Sequence, residues 1–256
     1  MDILGPDLGP ALILAACLIA ALGGIVKGAV GFAMPLVMVS GMGIFLEPQL
    51  VVACVILPIV VSNAAQVLRA GLGEAWSAAR EYRVYIGIVC AMILVSAQAL
   101  TRIPPGAMYL VLGIPVVALC LIQLAGLRLI IPPPRRAAFS VAAGIVAGTL
   151  GGLAGTWGPP TVLYLLAVET PKARQMAVQG VIYGLGAVAL LAGHLQSGVL
   201  NAATAPLSAL LVIPAMAGMW LGFRLQDRLD QKRFRKATLI VLVAAGLNLV
   251  RKGLGL

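Results

Sequence analysis

The chain has 256 residues, of which 61% are hydrophobic and only 10% charged, and its mean hydropathy is +1.07. A soluble globular domain carries roughly a quarter charged residues, so this composition excludes one and predicts an all-α polytopic membrane protein. The net charge of +10 does not argue for nucleic acid, because the basic residues are scattered through loops between apolar runs, where topogenic charge explains them.

The opening MDILGPDLGP holds two aspartates and no lysine or arginine. It lacks the basic start of a cleavable signal, so the first apolar segment is expected to stay in the mature protein. Charges and Gly/Pro clusters then divide the chain into ten apolar segments: 8–26, 28–46, 48–68, 84–100 and 107–127, then 137–156, 157–168, 176–196, 204–225 and 237–250. About 20 residues cross a bilayer as a helix, and several of these qualify alone. Segment 157–168 is too short without its neighbours. Two arrangements stay open: ten crossings, or a re-entrant pair of half-helices at the start of each half. Between the third and fourth segments, residues 69–83 (RAGLGEAWSAAREYR) can form a short amphipathic helix on the membrane surface. Residues 131–136 (IPPPRR) form a stiff basic linker in which a helix cannot continue. They divide a first membrane repeat, 1–131, from a second, 137–256, with 132–136 between.

With the N-terminus placed on one side, ten crossings leave only Arg102, Arg251 and Lys252 on that side, and put the other fifteen of the 18 basic residues opposite. Cytoplasmic loops collect lysine and arginine, so both termini are expected to be non-cytoplasmic. A re-entrant pair starts and ends on one side, as two crossings do, so the parity holds in both arrangements.

Two stretches interrupt this pattern. Residues 23–35 read GGIVKGAVGFAMP and residues 148–160 read GTLGGLAGTWGPP, so that Gly28, Gly31 and Pro35 recur as Gly152, Gly155 and Pro159. Glycine and proline loosen the helical ladder, and irregular backbone at membrane depth survives only where protein or a cavity surrounds it. Glu47-Pro48 likewise parallels Glu169-Thr170-Pro171, and Arg69-Ala70-Gly71-Leu72 parallels Gln196-Ser197-Gly198-Val199. An odd number of crossings per half inverts the second copy. Inverted repeats of about five segments with broken helices at matching places mark secondary transporters, whose site lies where the breaks meet near the midplane.

Two breaks of the form GxxGxxxP, one per half and joined by a basic linker, resemble the TauE/SafE sulfite exporter family, also grouped with the 4-toluene sulfonate uptake permeases. The resemblance runs through both halves. It implies a permease of the bacterial-type inner (plasma) membrane for sulfite or a small organosulfonate, or for another small organic anion. The glycine-proline motif carries over onto Gly28, Gly31 and Pro35 and onto Gly152, Gly155 and Pro159. The two breaks differ, since a lysine precedes the first glycine in one and Thr156-Trp157 follows the second glycine in the other.

Lys27 is expected to meet an anionic substrate with the amides of a half-helix starting near Gly28, because helix N-termini carry partial positive charge. Snorkelling to the interface is the alternative. Ser62, Asn63 and Gln66 lie within one turn, and Gln175, Gln179 and Tyr183 repeat at i, i+4 and i+8. Both sets can offer hydrogen bonds to oxyanion oxygens, although such residues also bond helix to helix. Thr156 and Trp157 can donate at the second break, unless Trp157 anchors the interface. The glycines can equally serve close helix packing. Arg69 and Arg174 are read as topogenic, with funnelling of anions toward the site as the alternative, and Glu47 and Glu169 chiefly as helix-end carboxylates. His194 is read as a polar end residue facing the outer interface, with titration during transport as the alternative.

No carboxylate falls clearly inside a span, so coupling through a buried acid is not expected. Cys17, Cys54, Cys90 and Cys120 form no CxxC or Cys/His cluster, and no metal or cofactor is expected. An intramembrane enzyme is disfavoured, because HExxH, GxSxG and P-loop motifs are missing. The rivals are an anion channel and a membrane assembly subunit that moves nothing. Faces of small residues could support a homo-oligomer, but they serve internal packing equally well.

Overall fold

Lipid offers no partner to a backbone amide, so the apolar runs close their hydrogen bonds within helices. The computed structural model describes residues 8–126, 130–226 and 231–255, and among them it contains helices and no strand. Arg128 and Arg228 of the charge count, and the opening residues 1–7, lie outside the described residues.

The first half runs through α1 (Pro10–Val30), α2 (Met34–Met42), α3 (Pro48–Ala70), α4 (Leu72–Glu81), α5 (Arg83–Ala99) and α6 (Pro105–Leu124). The second runs through α7 (Arg136–Ala154), α8 (Gly158–Ala167), α9 (Lys172–Gln196), α10 (Ala205–Gln226) and α11 (Gln231–Gly253). Seven of these are long and apolar enough to cross a membrane, so the chain is a multi-pass membrane protein. At 1.5 Å per residue, α2 and α8, of nine and ten residues, reach about half of a ~30 Å hydrocarbon core. They are half-helices too short to cross alone, which favours the re-entrant arrangement over ten full crossings. The stretch expected on the membrane surface forms α4, whose Leu72 and Trp76 are exposed while Ala75 and Ala78 pack inward.

Which helix ends lie together follows from specific contacts. Leu8, Phe45, Glu47, Thr101, Val199 and Asn201 share the wall of one hollow of about 490 Å³. The start of α1, the α2–α3 loop, the end of α5 and the α9–α10 loop therefore meet at one end of the bundle. There Lys252 Nζ donates to the carbonyls of Gly43 and Ile44, at 2.8 and 2.6 Å, and so closes off the C-terminus of α2. At the opposite end the Ile131 amide donates to the Ala167 carbonyl at 3.0 Å, joining the start of α7 to the end of α8. Tyr82 and Thr170 share a 2.8 Å hydrogen bond there, and Arg174 bridges Glu74 and Glu81 at 2.9 Å each. Thus α1 and α2 enter and leave at one end, and α7 and α8 at the other.

The breaks are wedged between a central pair, α3 against α9, and outer partners. Helix α1 lies on α10 and α7 lies on α5, both at backbone contact. A methyl group at Gly218 would come within 2.0 Å of the Ala21 carbonyl, and one at Gly152 within 2.1 Å of Ser96 Oγ. Small residues let membrane helices approach this closely, where dispersion replaces the missing hydrophobic drive.

Pro58 sits inside α3 and cannot donate to the carbonyl of Cys54, four residues back. Ser208 of α10 makes up the loss. Its hydroxyl donates to the Cys54 carbonyl at 3.3 Å and accepts from the Leu57 amide at 3.2 Å.

Candidate functional site

Helix α1 ends where Gly31 turns left-handed, at φ 85°, with its amide on the Lys27 carbonyl at 2.7 Å. Gly155 does the same for α7 at φ 66°, its amide on the Gly151 carbonyl at 2.7 Å. Only glycine adopts that conformation without strain. Proline then restarts each chain within the first turn of α2 and α8, where its missing donor costs nothing. Ala33, just before α2, holds φ 78° without being glycine, a conformation that costs on the order of 1 kcal/mol and that clusters at functional sites.

The first break therefore lies later than its spacing suggested. Lys27 occupies the last turn of α1 and the half-helix begins at Met34, not near Gly28.

A helix end in a membrane leaves carbonyls that need partners. At the end of α7 the Thr156 amide and hydroxyl both donate to the Leu150 carbonyl, and His194 Nε2 donates to the Gly152 carbonyl at 2.9 Å. A carbonyl only accepts, so the proton sits on Nε2, and Nδ1 faces the Ser197 hydroxyl at 3.3 Å. His194 is fully buried. It is a tie between α9 and α7, not the exposed end residue the sequence suggested.

Between the two breaks lies a narrow cavity of about 20 Å³. Lys27 reaches it from α1, Asn63 from α3 and Tyr183 from α9, while Pro35 and Pro159 mark where α2 and α8 begin on its wall. Gly155, Thr156 and Trp157 close the second break's side. Both half-helices thus turn their N-termini, the positive ends of their dipoles, toward one space.

Lys27 is 3% exposed. Its Nζ donates to Asn63 Oδ1, and Asn63 Nδ2 donates onward to the Tyr183 carbonyl at 3.1 Å. Among the described residues no carboxylate pairs with Lys27. Tyr183 sends its hydroxyl to the Gly158 carbonyl at 3.2 Å. The Trp157 indole lies between Gly151 and Gly186, where added methyls would stand 3.0 and 3.1 Å from its ring. It faces the cavity, not the membrane interface.

Of the residues singled out in the sequence, Lys27, Pro35, Asn63, Gly155, Thr156, Trp157, Pro159 and Tyr183 line this cavity. Gly28 and Gly152 do not line it. They meet the Met219 carbonyl of α10 and Ser96 of α5. Gly31 forms the left-handed turn at the end of α1. Gln66 stands one turn from Asn63, 5% exposed, with neither amide atom hydrogen-bonded. Gln179, one turn from Tyr183, is also buried, and Gln175 donates to the Thr170 carbonyl at 3.3 Å. Ser62 bonds back to Ile59 of its own helix. Arg69 stacks 4.0 Å over the Phe223 ring. Sequence reasoning missed Phe32, Leu36 and Ile59 on the wall; their apolar character hides them among ordinary packing residues.

A bundle of membrane-spanning helices that brings two half-helix N-termini and a buried cation to one internal cavity has the build of a solute transporter, not of a soluble enzyme or a receptor domain. The chain belongs to the TauE/SafE sulfite exporter family: the family model described as Sulfite exporter TauE/SafE matches residues 16–249. Membership makes it a membrane transporter of sulfur compounds. No curated protein and no solved structure matches the chain.

Proposed function

We propose that this protein is a secondary transporter that exports a small sulfur oxyanion, sulfite or an organosulfonate, by alternating access of two inverted halves around the cavity between the breaks. Lys27 carries the proposal. It is a buried cation with no carboxylate partner among the described residues, and it faces a space bounded by two helix N-termini. A lone buried charge is costly, and an anion bound there would offset that cost. Helix N-termini bind oxyanions through their free amides and dipoles.

The pairing of helices supports two inverted halves. Exchange of α1 for α7, α3 for α9 and α10 for α5 turns each observed contact, α1 on α10 and α3 on α10, into another observed contact, α7 on α5 and α9 on α5. The opposite entry ends of the two re-entrant pairs support the same arrangement. The charge count puts the end holding Arg174 on the cytoplasmic side of a bacterial-type inner membrane, with both termini on the other side.

Substrate binding falls to Lys27, Asn63, Thr156, Trp157, Gly155, Pro35 and Pro159 around the cavity. Gln66, Gln179 and Gln175 extend it toward the Arg174 end, and Gly28, Gly31 and Gly152 hold the breaks in place. Flux of sulfite from proteoliposomes of the purified full chain, with membrane potential clamped, tests the assignment. Saturable, competable flux is expected of a carrier, whereas non-saturating flux would make the protein a channel and no flux under any gradient would remove the assignment.

A further inference from the structure

We propose that the cavity selects singly charged oxyanions and rejects doubly charged ones, so that a sulfite-class substrate crosses as its hydrogen-bearing monoanion. The proposal rests on the anion-transport function above and narrows it to a charge state.

Three observations carry it. Lys27 is the only side chain of full positive charge on the cavity wall, and Tyr183 is the only other lining residue that can titrate. Around Lys27, α3 presents the neutral Asn63 and α9 the neutral Tyr183. Helix α10, packed on the same turn of α1, offers the Met219 carbonyl and the backbone of Gly222 and Phe223. Among the described residues no second cation lines the cavity: Arg69 of α3 stacks on the Phe223 ring of α10 instead. A monoanion and Lys27 cancel in formal charge, while the second charge of a dianion is left to the partial charges of the two helix N-termini alone, in a low-dielectric space.

The donor inventory points the same way. Thr156 spends its hydroxyl proton on the Leu150 carbonyl, Tyr183 on the Gly158 carbonyl, and Asn63 an amide proton on the Tyr183 carbonyl. What remains for an anion is the rest of the Lys27 ammonium, the second Asn63 amide proton, the Trp157 indole N–H and the two helix N-termini. Dianions hold water far more strongly than monoanions, and this wall has few protons to replace it. Phe32, Leu36 and Ile59 supply apolar surface instead, which suits a weakly hydrated ion.

Methanesulfonate, sulfate and sulfite separate charge from chemistry in proteoliposomes of the full chain. The sulfonate is a monoanion and the sulfate a dianion throughout the neutral range, while sulfite passes from one to the other there. Methanesulfonate is expected to compete with sulfite, and sulfate to compete at least tenfold more weakly. Sulfite flux at fixed total sulfite should fall with rising pH in step with its monoanion, while methanesulfonate flux over the same range stays level. The sulfonate arm thereby removes any titration of Lys27 from the comparison. Sulfate competing as well as methanesulfonate, or sulfite flux following the dianion, would overturn the charge selection and leave the transporter standing. Absence of flux for sulfite and sulfonate alike, under every gradient, would overturn the transport function and the selection with it.

Discussion

Lys27 and Asn63 join the broken end of α1 to the middle of α3 by a buried hydrogen bond from ammonium to carboxamide, and Asn63 passes the link on to the α9 backbone at Tyr183. A neutral amide satisfies one proton of the ammonium without cancelling its charge. Removing an unpaired buried charge lifts a burial cost of several kcal/mol, against about 1–3 kcal/mol for leaving Asn63 Oδ1 without its donor. Lys27→Met is therefore expected to leave melting in detergent unchanged or raised, and to lower sulfite flux at least a hundredfold. A structural lysine would behave oppositely, with lower stability and flux preserved in proportion to folded protein.

Gln66 has the same logic with a polar group instead of a charge. Both amide atoms lie buried without a partner among the described residues, and an unsatisfied buried group costs about 1–3 kcal/mol. Gln66→Leu should remove that cost and raise the melting temperature. If the amide touches substrate during transit, flux should nevertheless fall severalfold through kcat, with KM little changed. Unaltered kcat in a stabilised variant would reduce Gln66 to a packing residue.

The two breaks and the shortness of α8 were legible in the sequence, because glycine and proline act on the backbone locally and their effect does not wait for tertiary partners. Lys27 was legible as a residue of the first break but not in its depth. Its position depends on α1 continuing to Val30 before Gly31 turns, and a run of glycines marks a break without saying which glycine takes the left-handed conformation. Gly28 and Gly152 carry the repeat as clearly as Gly31 and Gly155 do, yet they meet α10 and α5, helices far away in the chain. Sequence spacing holds no record of those partners. The same holds for His194, whose carbonyl partner at Gly152 is 42 residues distant, and for Ser208.

Trp157 depends on the glycines that flank its ring. A methyl at Gly186 would stand 3.1 Å from the indole Cε2, tighter than ordinary contact, and a larger side chain has no room. Gly186→Val is expected to tilt the indole into a cavity of about 20 Å³ and to block flux. The protein should still fold, because the indole also borders the cavity, into which it can shift. Tryptophan fluorescence, with Trp76 and Trp220 replaced by Phe, should shift on this substitution. An unmoved emission together with normal flux would contradict the proposed wall.

Ser208 repairs the gap that Pro58 leaves in α3, since its hydroxyl serves both the Cys54 carbonyl and the Leu57 amide. In lipid neither group has water to fall back on, so Ser208→Ala should cost about 1–3 kcal/mol of unfolding free energy. Pro58→Ala restores an amide that can reach the Cys54 carbonyl within the helix, which makes the serine partly redundant. The loss from Ser208→Ala measured in the Pro58→Ala background should therefore be smaller than in the wild type, a coupling that a double-mutant cycle in detergent reads directly. Strict additivity of the two substitutions would mean that the serine stabilises α10 against α3 by packing alone. In that case Pro58 would be accommodated by a bend in α3, not by the hydroxyl.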